Sequence, residues 1–349
     1  MTVSATERVL RVLVVDDSAY VRKVVRDMLS RSPFLEVVGH ARDGHEALEL
    51  VESLRPDVVT CDLMMPQMDG VDFVRAQMAR RAVPVVIISS IPHDEDRVLT
   101  ALAAGAVDFV QKPTALANER MLDMGTELVA KVKTAAGARL GAASARDVVP
   151  ARARAPLRAA AVDVVVLGIS TGGPQALRRL IPQLPGDCPV PVAVGLHMPP
   201  GYTELYARKL DEMSAVEVRE AHHGDRVEGG AVLLAPGGRH LTLCRTSGGV
   251  VVAQLSAEHH EGQHRPSIDV LFRSAAEAYG GRTLGVVMTG MGSDGREGAA
   301  WIKAKGGTVL TEAEETCVVY GMPRAVAEAG LSDASVPLER MAEAILERL

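Results

Sequence analysis

The sequence predicts an α/β protein made of two doubly wound parallel sheets, each in its own domain. Three observations carry this. Short β-branched runs alternate with helix-patterned stretches five times within residues 1–130. A second alternation begins at Val162 and runs toward the C-terminus. Between them, residues 134–160 are rich in Ala, Arg and Pro and lack sustained periodicity. A length of 349 residues suits two domains, and 47% hydrophobic with 23% charged residues is enough apolar material for two cores.

In the first domain, taken as residues 1–130, Leu10 to Val15 is a strand ending in Asp16-Asp17-Ser18. Val21, Val24, Val25 and Leu29 then recur at helical spacing. Val37-Val38-Gly39 precedes a helical stretch from Gly44 to Ser53, and Val58 to Asp62 is a third strand ending in a carboxylate. Val83 to Ile88 leads into Ser89-Ser90, and Ala106 to Val110 leads into Lys112-Pro113. In sheets of this kind the site lies at the carboxyl ends of the strands. There the sequence puts Asp16, Asp17, Asp62, Ser89 and Lys112. Clustered carboxylates repel one another unless they share a hard cation such as Mg²⁺, and a lysine and a hydroxyl can hold phosphoryl oxygens. Helix N-capping would account for Asp17 but not for Asp62, which precedes Leu63-Met64-Met65-Pro66.

The motifs VVDDS, CDLMMPQMDG, IISS and QKP together resemble the signature set of response-regulator receiver domains, over residues 9–130. The resemblance implies a five-stranded flavodoxin-like fold with Asp62 as phosphoacceptor. It implies Mg²⁺ held by Asp16, Asp17, Asp62 and the Met64 backbone carbonyl. Ser89 would be the switch hydroxyl, Phe109 the switch aromatic and Lys112 the phosphoryl contact, with a CheA-type histidine kinase as phosphodonor. Phe109 stands where tyrosine is also common, and it brings no hydroxyl.

Residues 131–160 are taken as a flexible linker, mildly basic because 134–160 carries five arginines against one aspartate. A docking arm for an acidic partner is the alternative.

The second domain, 161–349, opens on VDVVVLGISTGG, a buried strand, a glycine turn and, from Pro174, a helix. A serine at such a corner, Ser170, stands out from the backbone near free N–H groups, which suits oxyanion chemistry. A phosphate-cradling or structural turn fits this stretch equally well, although its glycine spacing is not that of a dinucleotide fold. Val190 to Leu196 ends in His197, and Ala231 to Leu234 is a further strand. Leu241–Leu243 and Val250–Val252 read as a short hairpin. Thr283 to Met288 runs into a loop bearing Asp294, a helix passes through Trp301, and Thr308 to Thr311 reads as the last strand. Ser170, His197 and Asp294, each at a strand's carboxyl end, can converge on one crevice as nucleophile, base and orienting acid. Taken singly, His197 could be structural and Asp294 a helix N-cap. The pairs His222-His223 and His259-His260 are poor metal clamps because neighbouring residues in a strand face opposite ways.

GISTGG, LHMPPGYT, HRPSIDVLF and TGMGSDG together resemble the catalytic domain of the chemotaxis protein-glutamate methylesterases of the CheB type. The resemblance implies a Rossmann-like fold and the Ser170, His197 and Asp294 triad, with the backbone N–H groups of Thr171 and Met291 as oxyanion hole. The implied substrate is the glutamate γ-methyl ester of methyl-accepting chemotaxis receptors, with deamidation of receptor glutamines as a second activity and no cofactor in this domain. The other readings are a catalytically dead signalling adaptor and a phospho-dependent transcription factor. A net charge of −6 and the lack of a basic recognition helix argue against nucleic acid as partner. No apolar run reaches the ~20 residues of a membrane span. Four widely spaced cysteines and an N-terminus that leads straight into a strand point to a reduced, cytoplasmic protein.

Overall fold

The computed structural model describes residues 8–90, 94–112, 118–140, 162–258 and 264–349. They fall into two compact units that divide at Gly141 and Ala142.

The first unit runs β1 (Leu10–Val15), α1 (Ala19–Leu29), β2 (Leu35–Ala41), α2 (Gly44–Leu54), β3 (Val58–Asp62), α3 (Gly70–Arg80), β4 (Val85–Ser90), α4 (Glu95–Ala104), β5 (Asp108–Lys112) and α5 (Asn118–Ala136). The strands are all parallel, in the order β2-β1-β3-β4-β5. Helices cover both faces of such a sheet, so its central strands read as continuous apolar runs. Val12, Leu13, Val58, Val59, Val85 and Ile87 are fully buried accordingly. The boundary read at residue 130 falls inside α5. Val132 and Ala135 are fully buried, so the last turns of this helix belong to the first core rather than to a linker. Residues 141–160 of the expected linker lie outside the described residues.

The second unit runs β6 (Val164–Ile169), α6 (Gly173–Leu180), β7 (Val192–Leu196), α7 (Thr203–Asp211), β8 (Glu217–Glu220), β9 (Ala231–Leu234), β10 (His240–Arg245), β11 (Val251–Ser256), α8 (Ile268–Tyr279), β12 (Thr283–Val287), α9 (Arg296–Ala304), β13 (Thr308–Glu312), α10 (Met322–Glu328), β14 (Ala334–Val336) and α11 (Leu338–Leu346). Seven parallel strands form one sheet in the order β14-β13-β12-β6-β7-β9-β8, and β10 with β11 makes the expected antiparallel hairpin. The strand order reverses beside β6, which opens a crevice at the carboxyl ends of β6, β7 and β12.

Thr308 to Thr311 is not the last strand, because β14 follows it and forms the sheet edge. At the opposite edge lies β8, whose Glu-Val-Arg-Glu sequence carries no apolar run. Both are short and partly exposed, as edge strands commonly are, and so lack the apolar signature of a buried strand. Among the described residues no helix is long and apolar enough to cross a membrane.

Close approach of α8 to β6 depends on Gly168. A Cβ there would stand 2.3 Å from Cγ2 of Ile268, the first residue of α8. Gly168→Ala should therefore destabilise the second unit by about 1–3 kcal/mol, the usual cost of overpacking a core. A urea midpoint for that unit equal to wild type would contradict the packing described.

Candidate active site

Ser170 follows β6 directly, and the chain turns sharply there. The Gly173 N–H donates to the Ser170 carbonyl at 2.7 Å, and Gly172 sits at φ 79°, a left-handed conformation that favours glycine. Pro174 stands in the first turn of α6. His197 comes one residue after β7, and its backbone N–H donates to the Ile169 carbonyl at 3.2 Å, extending the pairing with β6. Asp294 comes from the loop between β12 and α9.

The three side chains meet. His197 Nδ1 lies 3.1 Å from Ser170 Oγ, and His197 Nε2 lies 2.8 Å from Asp294 Oδ2. An ionised carboxylate can only accept, so Nε2 carries the imidazole proton and Nδ1 presents its lone pair to the serine hydroxyl. This arrangement can take a proton from Ser170 and hold the resulting imidazolium. The His264 ring lies against that of His197, with centroids 4.1 Å apart and planes inclined by 31°.

Asp294 is held by the start of α8. Its Oδ2 also accepts the Ile268 N–H at 2.9 Å, and its Oδ1 accepts the Asp269 N–H at 2.9 Å and the Ser267 hydroxyl at 3.2 Å. Burial by itself would raise the pKa of this carboxyl. The hydrogen bond from His197, its electrostatic pull and the two backbone donors outweigh burial and hold Asp294 well below the usual carboxylate range. Asp294 is therefore not the N-cap of α9 that its position suggested. Asp269 serves that helix instead, its Oδ1 accepting the N–H groups of Gly295 at 2.9 Å and Gly298 at 2.7 Å. Each aspartate thus binds the N-terminus of the other's helix. Burial and the nearby Asp294 push the Asp269 carboxyl up, against those two hydrogen bonds.

The loop bearing Met291 comes up against the serine. A Cβ on Gly290 would stand 2.7 Å from Ser170 Cβ, and Thr171 is buried beside it. Thr171 and Met291, the expected oxyanion donors, therefore belong to the two loops that flank Ser170. His222 and His223 are exposed, while His259 and His260 lie outside the described residues.

In the first unit, carboxylate oxygens of Asp16, Asp17 and Asp62 lie within 4.8 Å of one another at the ends of β1 and β3. Lys112 Nζ donates to Asp16 Oδ2 and to Asp62 Oδ1, each at 2.9 Å. Burial raises the Asp62 carboxyl despite Lys112. Burial works against the Lys112 charge, but Asp62 and Asp16 outweigh it and raise the ammonium pKa. The buried Ser89 hydroxyl donates to Asp94 at 3.1 Å. Phe109 is buried, and its carbonyl accepts from Lys131 Nζ at 2.6 Å. Met64 directs an exposed side chain outward.

A parallel α/β domain with serine, histidine and aspartate converging at its switch point, preceded by a receiver-type sheet with an acidic strand-end pocket, defines the class: a response regulator whose output domain is a hydrolase. The CheB methylesterase family matches residues 165–345, and the response regulator receiver domain matches residues 12–123. Protein-glutamate methylesterase/protein-glutamine glutaminase 5 of Myxococcus xanthus (strain DK1622) is 54% identical over 334 residues, covering 95% of this chain and 96% of that protein. A protein-glutamate methylesterase/protein-glutamine glutaminase of Symbiobacterium thermophilum is 44% identical, with 97% of each chain covered. The crystal structure of the Thermotoga maritima CheB methylesterase catalytic domain matches with a TM-score of 0.53 and 42% identity, covering 54% of this chain and 99% of that one. The chain belongs to the CheB methylesterase family.

Sequence reasoning took HRPSIDVLF only as a family motif and missed what Ser267 and Asp269 do in it. The available signal was local: a serine, then an acidic residue in the first turn of an apolar-periodic stretch, is a helix start. Burial raises the Asp269 pKa in the folded state, so its contribution to stability is full below the unfolded carboxylate value and is lost as pH rises through the raised one. Asp269→Asn keeps an oxygen for Gly295 and Gly298 and has no proton to lose. Its urea stability relative to wild type should therefore improve between about pH 4 and about pH 7, the raised value of Asp269. A difference that does not change with pH would contradict this.

Proposed function

We propose that this chain is a protein-glutamate methylesterase acting on chemotaxis receptors, with protein-glutamine glutaminase activity at the same site. The observation that carries the reading is His197 bridging Ser170 and Asp294 at 3.1 and 2.8 Å. Ser170 Oγ attacks the γ-carbonyl carbon of a glutamyl methyl ester as His197 Nδ1 takes its proton. The tetrahedral oxyanion is met by the backbone N–H groups of Thr171 and Met291. His197 returns the proton to the departing methoxyl oxygen, and methanol leaves a glutamyl-serine ester. Water, deprotonated by His197, attacks that ester and restores the serine and a free glutamate carboxylate. With a glutamine side chain the leaving group is ammonia and the later steps are the same. Asp294 keeps the imidazole oriented and stabilises its cationic form.

In the receiver domain, Asp62 is the phosphoacceptor for a CheA-type histidine kinase. The hard oxygen donors Asp16, Asp17 and Asp62 suit Mg²⁺, with the Met64 carbonyl as a further ligand, and the ion would offset charge on the phosphoryl oxygens. Lys112 and Ser89 contact the phosphoryl group, which draws the serine hydroxyl away from Asp94 and repacks the face around Phe109. The receiver restrains the esterase until Asp62 is phosphorylated, a shift in an equilibrium between two states of one protein.

Ser170→Ala should lower methanol release from methylated receptor by several orders of magnitude while leaving the fold intact. Retention of more than a few per cent would require another nucleophile. A 155–349 fragment should be faster on receptor than the unphosphorylated full chain, and Asp62→Ala should abolish stimulation of the full chain by a small phosphodonor. A fragment as slow as the unphosphorylated protein would rule out restraint by the receiver.

A further inference from the structure

Glu312, the last residue of β13, is fully buried, and it is not one of the three residues that meet at Ser170. Its Oε2 accepts the backbone N–H of Thr289 at 2.9 Å, and its Oε1 accepts the Thr316 hydroxyl at 3.1 Å. Burial pushes its carboxyl up to about 7, against those two bonds. A buried carboxyl is costly without partners, so its place in the fold depends on what it holds. What it holds is Thr289, at the root of the loop that continues through Gly290 to Met291.

Thr289 is itself 1% exposed and fastens that loop to the nucleophile turn. Its hydroxyl donates to the Thr171 carbonyl at 2.9 Å and accepts the Val319 N–H at 3.0 Å. Its carbonyl accepts the Ser170 N–H at 3.0 Å. Gly290 is pinned from the other side: its N–H donates to the Val319 carbonyl at 3.0 Å, and its carbonyl accepts from Gly321 at 3.1 Å and Met322 at 2.9 Å. One residue thus ties three segments together: the 170–171 turn, the 289–291 loop and the 319–322 stretch.

We propose that Thr289 and Glu312 are positioning residues that set the spacing between the Thr171 and Met291 backbones at the oxyanion end of the site. This rests on Ser170 being the nucleophile and on the Thr171 and Met291 N–H groups meeting the oxyanion. Donors aimed at a developing oxyanion are worth orders of magnitude in rate only when their geometry is fixed beforehand. A change of a few tenths of an ångström in that spacing acts on the transition state and leaves ground-state binding of receptor nearly untouched.

The test uses the full-length protein, activated by a small phosphodonor, with kcat and KM for methanol release from methylated receptor measured separately. Thr289→Val keeps the shape and removes the hydroxyl, and kcat should fall about tenfold to a hundredfold with KM within about twofold. Thr289→Ser restores the hydroxyl and should recover kcat to within about threefold of wild type. The loss should persist at a temperature where circular dichroism shows the variant fully folded. Should the valine variant not fold, Thr289→Ala, which leaves room for a water, is read in the same way. Unchanged kcat in the valine or alanine variant, or no recovery with serine, would overturn the proposal. Ser170→Ala measured alongside separates the two claims. If it is inactive while Thr289→Val is normal, the positioning role alone is wrong; if it is active, the nucleophile assignment is wrong and the positioning role goes with it.

Discussion

The site depends on one ionised carboxylate, Asp294, set at the beginning of α8. An isolated buried carboxylate would take up a proton and could then no longer orient an imidazole. Here the N–H groups of Ile268 and Asp269, the Ser267 hydroxyl and His197 surround it, so ionisation is favoured in spite of burial. The first-turn N–H groups of a helix have no partner within the helix and lie at the positive end of its dipole. Using them for the third member of the constellation fixes several things at once: the depth of α8 against β6, the path of the loop between β12 and α9, and the tautomer of His197. Gly168 is part of the same arrangement, because any larger residue would displace Ile268.

The acidic pocket of the receiver domain solves the opposite problem. There burial raises the Asp62 carboxyl against Lys112 and one backbone hydrogen bond from Leu63, and its carboxylate neighbours are Asp16 and Asp17. Lys112 offsets part of this clustered charge, and hard oxygen donors of this kind suit a cation. Both sites lie at the carboxyl ends of parallel strands, and the partners of the carboxylate decide what each can do.

Much of this was legible in the sequence. Buried parallel strands such as Val58–Asp62 and Val164–Ile169 are built mostly of apolar, β-branched residues, and the residues at their ends, Asp62 and Ser170, could be placed from the strand ends alone. The edge strands β8 and β14 were not legible, because short, partly exposed segments need no apolar pattern. The end of α5 was missed because Lys131 to Ala136 looks like the start of an Ala-rich linker, whereas Val132 and Ala135 pack into the core. The helix start at Ser267 carried a local signal, but the partners of Asp269 and Glu312 carried none. Each acts through a fold contact with a residue remote in sequence, Asp269 with Gly295 and Gly298, and Glu312 with Thr289. Neither spacing nor periodicity encodes such a contact.

Asp294 fixes the imidazole of His197 with its proton on Nε2 and its lone pair on Nδ1 toward Ser170. Nitrogen-15 correlation spectra of the full-length protein with labelled histidine, with His197 assigned by its loss in His197→Gln, report the protonated nitrogen directly. Neutral His197 should carry its proton on Nε2, with Nδ1 unprotonated. A proton on Nδ1 in the neutral ring would contradict it.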